Sequence, residues 1–237
     1  MALIKDIISE PVLDVVYPVD GREVFPPILL DGNTVAWYDS QLLSTITKDG
    51  SDFVSVWADR LGSGHDLLQA VGANQPLWSS NGILFDGVSE MMQTLTFTLN
   101  QPEFIYIVFK QVTWNLLDVV FDGFTNVSGR MAQRTSPTEL NVYAGINSSD
   151  AGGLAINTLG IVRVLFNEAS SKFIINDGTI ISGDFGSLNM SGFTIGSKGD
   201  GSSFSNIEVK EIIIRKVADG ATDEANIYNY LSKKYGI

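Results

Sequence analysis

The sequence predicts an all-β protein, a two-sheet antiparallel jelly-roll sandwich with a short C-terminal helix and a proline-rich N-terminal arm. Short apolar segments recur along the 237 residues at fairly regular spacing, with Gly, Asp and Asn turns between them, as is typical of an all-β sandwich. A helical pattern occurs only near the C-terminus. A chain of this length buries roughly 70% of the surface that its unfolded form exposes, so its core needs no disulfides, and it has no cysteine to form them.

Residues 1–33 differ in composition from residues 34–237, which form the predicted sandwich domain. Four of the seven prolines lie in the first segment, and proline is excluded from central strands because it cannot donate to a ladder. The segment is also too apolar for a solvated tail, so it packs either on the flank of the sandwich or on a neighbouring subunit. We expect it to serve as an attachment or oligomerisation arm through Ile7, Ile8, Val15, Val16 and Phe25.

The predicted strands follow the apolar segments in order. Residues 93–99 alternate, with Leu95, Phe97 and Leu99 expected to face inward. Residues 104–109 are apolar on both faces and predict a central buried strand, and the 176–178 Asn-Asp-Gly sequence predicts a tight turn. Strands are expected at 35–39, 54–57, 83–85, 93–99, 104–109, 116–121, 140–143, 161–166, 173–175, 179–181, 193–195 and 211–215.

The last 16 residues have the features of one amphipathic helix. Thr222 is the predicted N-cap, and two acidic residues follow it in the first turn. An apolar stripe at helical spacing predicts that the helix covers an edge of the sandwich. The stripe consists of Ile227, Tyr228, Leu231 and Tyr235.

The composition excludes several classes of partner. A formal net charge of −12 opposes binding to nucleic acid and to anionic lipid. No apolar run approaches the length needed to span a bilayer, so membrane insertion is not expected. The first 13 residues lack the features of a secretory signal, and we therefore expect synthesis in a cytoplasm.

A series of motifs gives the chain a recognisable order. It includes Trp37-Tyr-Asp39, Val54-Ser-Val-Trp57-Ala-Asp59, Gly62-Ser-Gly64-His65-Asp-Leu67, Ile83-Leu-Phe85-Asp86-Gly87 and Tyr230-Leu-Ser-Lys-Lys234-Tyr-Gly-Ile237. Over residues 34–237 this series resembles the concanavalin A-like lectin/glucanase superfamily, in the laminin-G-like form common in bacterial and bacteriophage proteins. Leu61 departs from it, because the superfamily prefers serine before Gly62, and residues 1–33 have no counterpart. The resemblance implies a structural core motif of Trp37, Trp57, Phe85, Asp86 and Gly87, with the aromatic rings packed between the sheets.

Carboxylates at catalytic spacing are not apparent. Superfamily members that cleave glycans use acidic residues on one face of a strand, whereas Glu208 and Glu211 are three apart and point to opposite faces. Asp118 and Asp122 share a parity, but Asp122 is expected in a turn. A catalytic triad would need His65, the one histidine, which lies in a Gly-rich structural loop. We therefore expect a protein without enzymatic activity, with a glycoside hydrolase as an alternative.

Binding is the expected capability. Trp114 lies among polar neighbours after the central strand and is the best candidate for stacking on a sugar, with Arg134 and Tyr143 expected nearby. The alternative for Trp114 is that it covers a sheet edge. The laminin-G-like resemblance also leaves calcium open, with no residue favoured among the loop aspartates. These are Asp122, Asp150, Asp177, Asp184 and Asp200.

The resemblance suggests a location as well as a fold. We expect a non-enzymatic lectin-like structural protein on the surface of a bacteriophage virion, as a capsid decoration or tail-associated adhesion protein made in the host cytoplasm. Its expected partners are further copies of itself, other virion proteins and, weakly, cell-surface glycans. A free carbohydrate-binding module is the alternative from another class.

Overall fold

The computed structural model describes residues 24–148 and 152–237. Within them the chain forms sixteen strands, one α-helix and three short 3-10 helices, which are Pro27–Leu30, Leu43–Thr45 and Gly72–Asn74. The strands are β1 (Thr34–Asp39), β2 (Ile46–Lys48), β3 (Val54–Trp57), β4 (Leu67–Leu68), β5 (Leu77–Ser79), β6 (Gly82–Asp86), β7 (Met92–Gln93), β8 (Glu103–Gln111), β9 (Val119–Asp122), β10 (Arg130–Gln133), β11 (Leu140–Tyr143), β12 (Gly160–Phe166), β13 (Ser171–Ile175), β14 (Ile181–Gly183), β15 (Thr194–Ile195) and β16 (Asn206–Arg215). The helix α1 is Ala221–Tyr235.

The strands form two eight-stranded antiparallel sheets, which confirms the predicted sandwich with its C-terminal helix. The first sheet has the order β14-β13-β12-β8-β16-β6-β5, with β1 paired to β16 as well. The second has the order β11-β10-β9-β15-β7-β4-β3-β2. No helix in these two described stretches is long and apolar enough to span a membrane.

The central strand β8 is apolar on both faces because both faces are covered. Ile105, Ile107 and Phe109 pack into the core between the sheets, which also buries Trp57 and Phe85. The alternate side chains of β8 face outward, into a second core under α1. Burial on both faces explains why residues 104–109 read as a continuous apolar run.

The helix lies on the outer face of the first sheet, which corrects the prediction that it covers an edge. Ile227 and Leu231 of α1 pack with Tyr106 and Ile213 of the central strands. The helix also begins at Ala221 after Gly220, so Thr222 is not its N-cap. An exposed central strand face would cost far more than an exposed edge, and the apolar stripe is therefore used where the larger area needs cover.

Trp37 belongs to this second core, which corrects its expected place between the sheets. Its ring is fully buried, and its indole Nε1 donates a 2.7 Å hydrogen bond to the Glu211 carboxylate. Tyr235 and Tyr230 of α1 donate to the same carboxylate at 2.6 and 3.0 Å, and Lys234 pairs with it at 2.7 Å. Burial raises the pKa of Glu211, and the Lys234 charge opposes that shift. The helix is thus fixed by polar bonds as well as by apolar contact.

Residues 24–33 pack on the flank of their own sandwich, one of the two positions predicted for the arm. Leu29 is fully buried in the second core, and the Phe25 ring meets Trp37 edge-on at 5.0 Å between centroids. Asp31 is held by an ion pair to Arg215. The other predicted arm residues, Ile7, Ile8, Val15 and Val16, lie outside the described residues.

The Asp86-Gly87 corner is a tight turn that only glycine fits well. Asp86 is exposed, and its Oδ1 accepts hydrogen bonds from the backbone N–H groups of residues 88–90. Gly87 has φ +73°, and a Cβ there would lie 2.9 Å from the backbone nitrogen of Asn206. The corner therefore joins β6 to the start of β16 at a spacing that excludes a side chain.

Two predicted strands are shorter than expected. Residues 93–99 form a strand only at Gln93, and Leu95 is 68% exposed although it was expected to face inward. Thr94 is buried instead, because its hydroxyl accepts a hydrogen bond from the Phe193 backbone N–H. The strand expected at 116–121 begins at Val119, since Leu117 adopts φ +74°, which breaks the ladder.

Candidate functional site

The hairpin of β10 and β11 forms one edge of the second sheet. Arg130 pairs with Tyr143, and Gln133 pairs with Leu140. Met131 and Val142 point into the core between the sheets, so the side chains of Arg130 and Tyr143 lie on the outer face. Strand β10 was not predicted from the sequence.

The structure brings Trp114 and Arg134 together at the turn end of this hairpin. The indole Nε1 of Trp114 and the backbone N–H of Arg134 both donate to the carbonyl oxygen of Glu139, each at 3.1 Å. Trp114 is half-buried. Part of its ring is therefore covered by the protein and part is open to solvent.

Tyr143 lies at the other end of β11, about 13 Å along the strand from the Glu139 position. Its partner is the unpredicted Arg130, whose guanidinium carbon is 5.0 Å from the centre of the Tyr143 ring. The predicted trio is thus divided between two ends of a single hairpin. A ligand that contacts all three residues must extend along β11.

Buried amides hold the loop that carries Trp114. Gln133 Nε2 donates to Gln111 Oε1 at 2.7 Å and to the Thr113 carbonyl at 2.8 Å, and its Oε1 accepts from the Asn115 backbone N–H at 2.8 Å. Both glutamines are fully buried. These bonds hold the backbone on either side of Trp114, so the fold itself fixes where this residue lies.

Arg130 and Arg134 differ from the other described arginines. The structure describes five, and three of them form ion pairs: Arg60 with Asp39 at 3.2 Å, Arg163 with Glu224 at 3.1 Å and Arg215 with Asp219 at 2.8 Å. Among the described residues, Arg130 and Arg134 have no such partner within 4 Å. The Nε of Arg130 is buried and has no hydrogen-bond acceptor in the described part of the chain.

Burial and neighbouring charges both act on the pKa of Arg130. Burial lowers the pKa of the Arg130 guanidinium; the charge of Arg134 acts in the same direction, and Asp122 opposes both. Asp122 is itself fully buried and accepts four backbone hydrogen bonds, from Gly123, Val127, Ser128 and Gly199. Burial nevertheless raises the pKa of Asp122. Its oxygens are occupied by the backbone and are not directed at the arginine.

The carboxylates considered for catalysis have structural partners. Glu208 pairs with Lys110 at 3.2 Å, and Glu211 is enclosed under α1 as described above. Asp118 accepts a bond from the Asn115 amide at 2.9 Å. The His65 ring stacks on Phe97 at 3.8 Å between centroids, and its backbone carbonyl accepts from the Tyr38 hydroxyl.

The loop aspartates considered for calcium are also dispersed. Asp184 accepts from the Gly186 backbone N–H at 2.8 Å, and Asp200 accepts from the Ser202 hydroxyl at 2.6 Å. Asp177 is exposed beside its turn, and Asp150 lies outside the described residues. Residues 24–148 and 152–237 contain no group of three acidic, histidine or cysteine side chains that could hold a metal ion.

The fold is similar to that of several solved proteins. Trypanosoma rangeli sialidase in complex with sialic acid matches with a TM-score of 0.60 and 14% identity, over 85% of this chain and 33% of the sialidase. A GH54 α-L-arabinofuranosidase soaked with a cyclic sulfate inhibitor matches with a TM-score of 0.64 and 13% identity, over 86% of this chain and 64% of that one. At these identities the likeness shows the fold alone, and this chain spans a third to under two thirds of those proteins. No protein-family model matches the chain, and a comparison with curated proteins finds no match.

Proposed function

We propose that this protein is a non-catalytic, lectin-like domain that binds glycans at the β10–β11 hairpin and the adjoining Trp114 loop. The observation that carries the proposal is the placement of two half-buried aromatic rings beside two arginines: Tyr143 with Arg130 at one end of the hairpin, and Trp114, on the adjoining loop, with Arg134 at the other. Aromatic rings offer apolar faces to sugar C–H groups, and guanidinium groups offer several hydrogen-bond donors to sugar oxygens. The similarity of fold to a sialidase and an arabinofuranosidase supports this proposal and supports membership of the concanavalin A-like superfamily.

A glycan array with labelled protein tests the proposal. Trp114→Ala is expected to abolish retention on the glycans that the unchanged protein binds, because the ring supplies the stacking surface at one end of the site. The matched control is Trp78→Ala. Trp78 is also half-buried and donates its indole Nε1 to a backbone carbonyl, that of Ser40 at 2.9 Å, but it lies in edge strand β5 of the other sheet. Equal retention of the Trp114→Ala and Trp78→Ala proteins would contradict the proposed site.

The absence of catalysis is part of the same proposal. It is supported by the partners of Glu208, Glu211 and Asp118, each of which is engaged in an ion pair or hydrogen bond. Incubation of each bound glycan with the protein, followed by mass spectrometry, should return the glycan unchanged. Cleavage products that disappear in a Glu208→Gln variant would favour the glycosidase alternative.

The expected place on a virion stays a prediction. Its test uses particles assembled with protein that lacks residues 1–23, the part of the arm outside the described structure. Residues 24–33 are kept because Leu29 belongs to the folded core. Loss of incorporation into particles is expected, and undiminished incorporation would argue against an attachment arm.

A further inference from the structure

We infer that the β10–β11 hairpin recognises a sugar that carries a carboxylate, with Arg130 as the main contact to the anion. The inference rests on the proposed glycan-binding function and names the chemical class of its ligand. Uronic acids and sialic acids share this chemistry, and the experiment below distinguishes them.

Arg130 and Arg134 place two positive charges close together on an acidic protein. The chain has a net charge of −12, and three of the five described arginines are consumed by ion pairs. Within the described part of the chain, Arg130 and Arg134 have no carboxylate partner within 4 Å, and alternation from β10 into the residue that follows it places them on the same face. Unpaired guanidinium groups on such a protein are the positions where an external anion gains most.

The side chain of Arg130 packs beside the ring of Tyr143. Its guanidinium carbon lies over the Tyr143 ring, 5.0 Å from the ring centre, so the ring shields one side of the group from water. The Nε is buried and has no acceptor among residues 24–148 and 152–237, so an external anion would be bound by the two terminal nitrogens. A planar, oriented fork with free donors suits a carboxylate, which accepts two parallel hydrogen bonds from arginine.

Two carboxylates lie near these arginines. Glu139 lies across the hairpin from Arg134, and Asp122 lies opposite Arg130 on the neighbouring strand β9. Alternation places both carboxylates on the outer face, and neither forms an ion pair with these arginines among the described residues. The oxygens of Asp122 accept four backbone hydrogen bonds. The more distant negative charges of the protein are screened over about 8 Å at physiological salt, so the local field at the site is set by these two arginines and two carboxylates, and an external anion gains chiefly from direct hydrogen bonds to a guanidinium.

A sugar acid matches this hairpin better than an anion alone. A carboxylate-bearing sugar presents the anion on a ring whose C–H face is apolar. At this hairpin the guanidinium of Arg130 lies beside the Tyr143 ring, and Trp114 lies at the other end. An oligosaccharide that extends along β11 meets the arginine with its acid and the tryptophan with a further ring.

Isothermal titration with matched glycans tests the inference on the full-length protein. Trigalacturonic acid is compared with its carboxyl-reduced form, and 3′-sialyllactose is compared with lactose. At least one acidic probe is expected to bind about tenfold more tightly than its neutral counterpart, and that affinity should fall several-fold on raising the salt concentration from about 50 to 500 mM. The pair that shows the difference identifies the source of the carboxylate.

Two substitutions localise the effect. Arg130→Gln is expected to weaken binding of the acidic probe about tenfold or more while leaving binding of the neutral probe nearly unchanged. The control Lys216→Gln removes one positive charge from an exposed residue just beyond β16 and should change affinity less than twofold. If Arg130→Gln fails to fold, the Arg134→Gln variant and the salt dependence of the unchanged protein provide the same comparison.

Equal affinity for acidic and neutral probes, or no affinity for either acidic probe, overturns the inference. The proposed glycan-binding function survives that result if the array still retains a neutral glycan through Trp114. An equal loss of affinity in Arg130→Gln and Lys216→Gln would indicate an effect of net charge and would also overturn the inference.

Discussion

Glu103, at the start of the central strand β8, should make the protein less stable as the pH rises towards neutrality. The side chain is fully buried; Oε1 accepts a 2.8 Å hydrogen bond from the Met190 backbone N–H, and Oε2 has no partner among the described residues. Burial raises its pKa from about 4.5 to about 8. Between these values the folded protein keeps a proton that the unfolded chain releases. The free energy of unfolding therefore falls by about 1.4 kcal/mol per pH unit, or about 3 kcal/mol between pH 4.5 and 7.

The substitution Glu103→Gln isolates this effect. Glutamine keeps the acceptor for Met190 and never ionises, so it should raise the free energy of unfolding by about 2–3 kcal/mol at pH 7 and change it little at pH 4.5. Urea denaturation of both proteins at intervals from pH 4.5 to 8 measures the difference, in which the other titrating groups cancel. The control Glu168→Gln alters an exposed residue and should leave the pH profile unchanged. Parallel profiles for Glu103→Gln and the unchanged protein would refute the reasoning.

Three further substitutions test the fold around the site. Gly87→Ala should lower the free energy of unfolding by about 1–3 kcal/mol, more than Gly64→Ala, because both have positive φ but only the Gly87 Cβ meets backbone; equal losses in thermal denaturation would contradict the close approach. Lys234→Met removes the ion pair of the buried Glu211 carboxylate and should cost about 3–5 kcal/mol at pH 7 and less at pH 5, where protonation of Glu211 relieves the loss; urea denaturation giving the same loss at both pH values would exclude this cause. Asp122→Asn removes acceptor capacity for four backbone N–H groups and should cost about 1–3 kcal/mol and speed amide exchange at Val127 and Ser128; unchanged exchange would show that other groups hold the loop.

Most of the fold could be predicted because local patterns and tertiary demands agree. The apolar stripe of Ile227 and Leu231 predicts α1, and the Asp86-Gly87 pair predicts its turn. The predicted position of α1, on an edge of the sandwich, was wrong. The apolar residues on both faces of β8 already indicated that the outer face of its sheet needs a cover. A strand with two apolar faces needs two covers, and the other sheet supplies only one of them.

The errors inside the sandwich come from polar residues that are satisfied by distant partners. Thr94 is buried because its hydroxyl meets the backbone of Phe193, a contact nearly 100 positions away that no local alternation reveals. Strand β10 was missed for the same reason. Its core-facing Gln133 bonds to Gln111 on β8, so the strand does not show the apolar alternation on which the prediction depends.

The candidate site was predicted in part. Trp114, Arg134 and Tyr143 all belong to the hairpin region, but Arg130 was missed because its strand was missed. Arg130, Ala132 and Arg134 occupy alternate positions, and this spacing of two arginines in an acidic chain was visible in the sequence. Among the described residues both of them lack ion pairs, whereas three other arginines have them, and this difference depends on contacts that only the folded chain brings together.

The proposed function depends most on glycan contact at the β10–β11 hairpin. Nuclear magnetic resonance of ¹⁵N-labelled protein, titrated with the glycan that the array retains most strongly, measures that contact directly. We predict shifts of the Trp114 indole N–H and of backbone amides in residues 130–134 and 139–143, with little change at the Trp78 indole. Shifts confined to other surfaces, or no shifts at a saturating concentration, would contradict the proposed site.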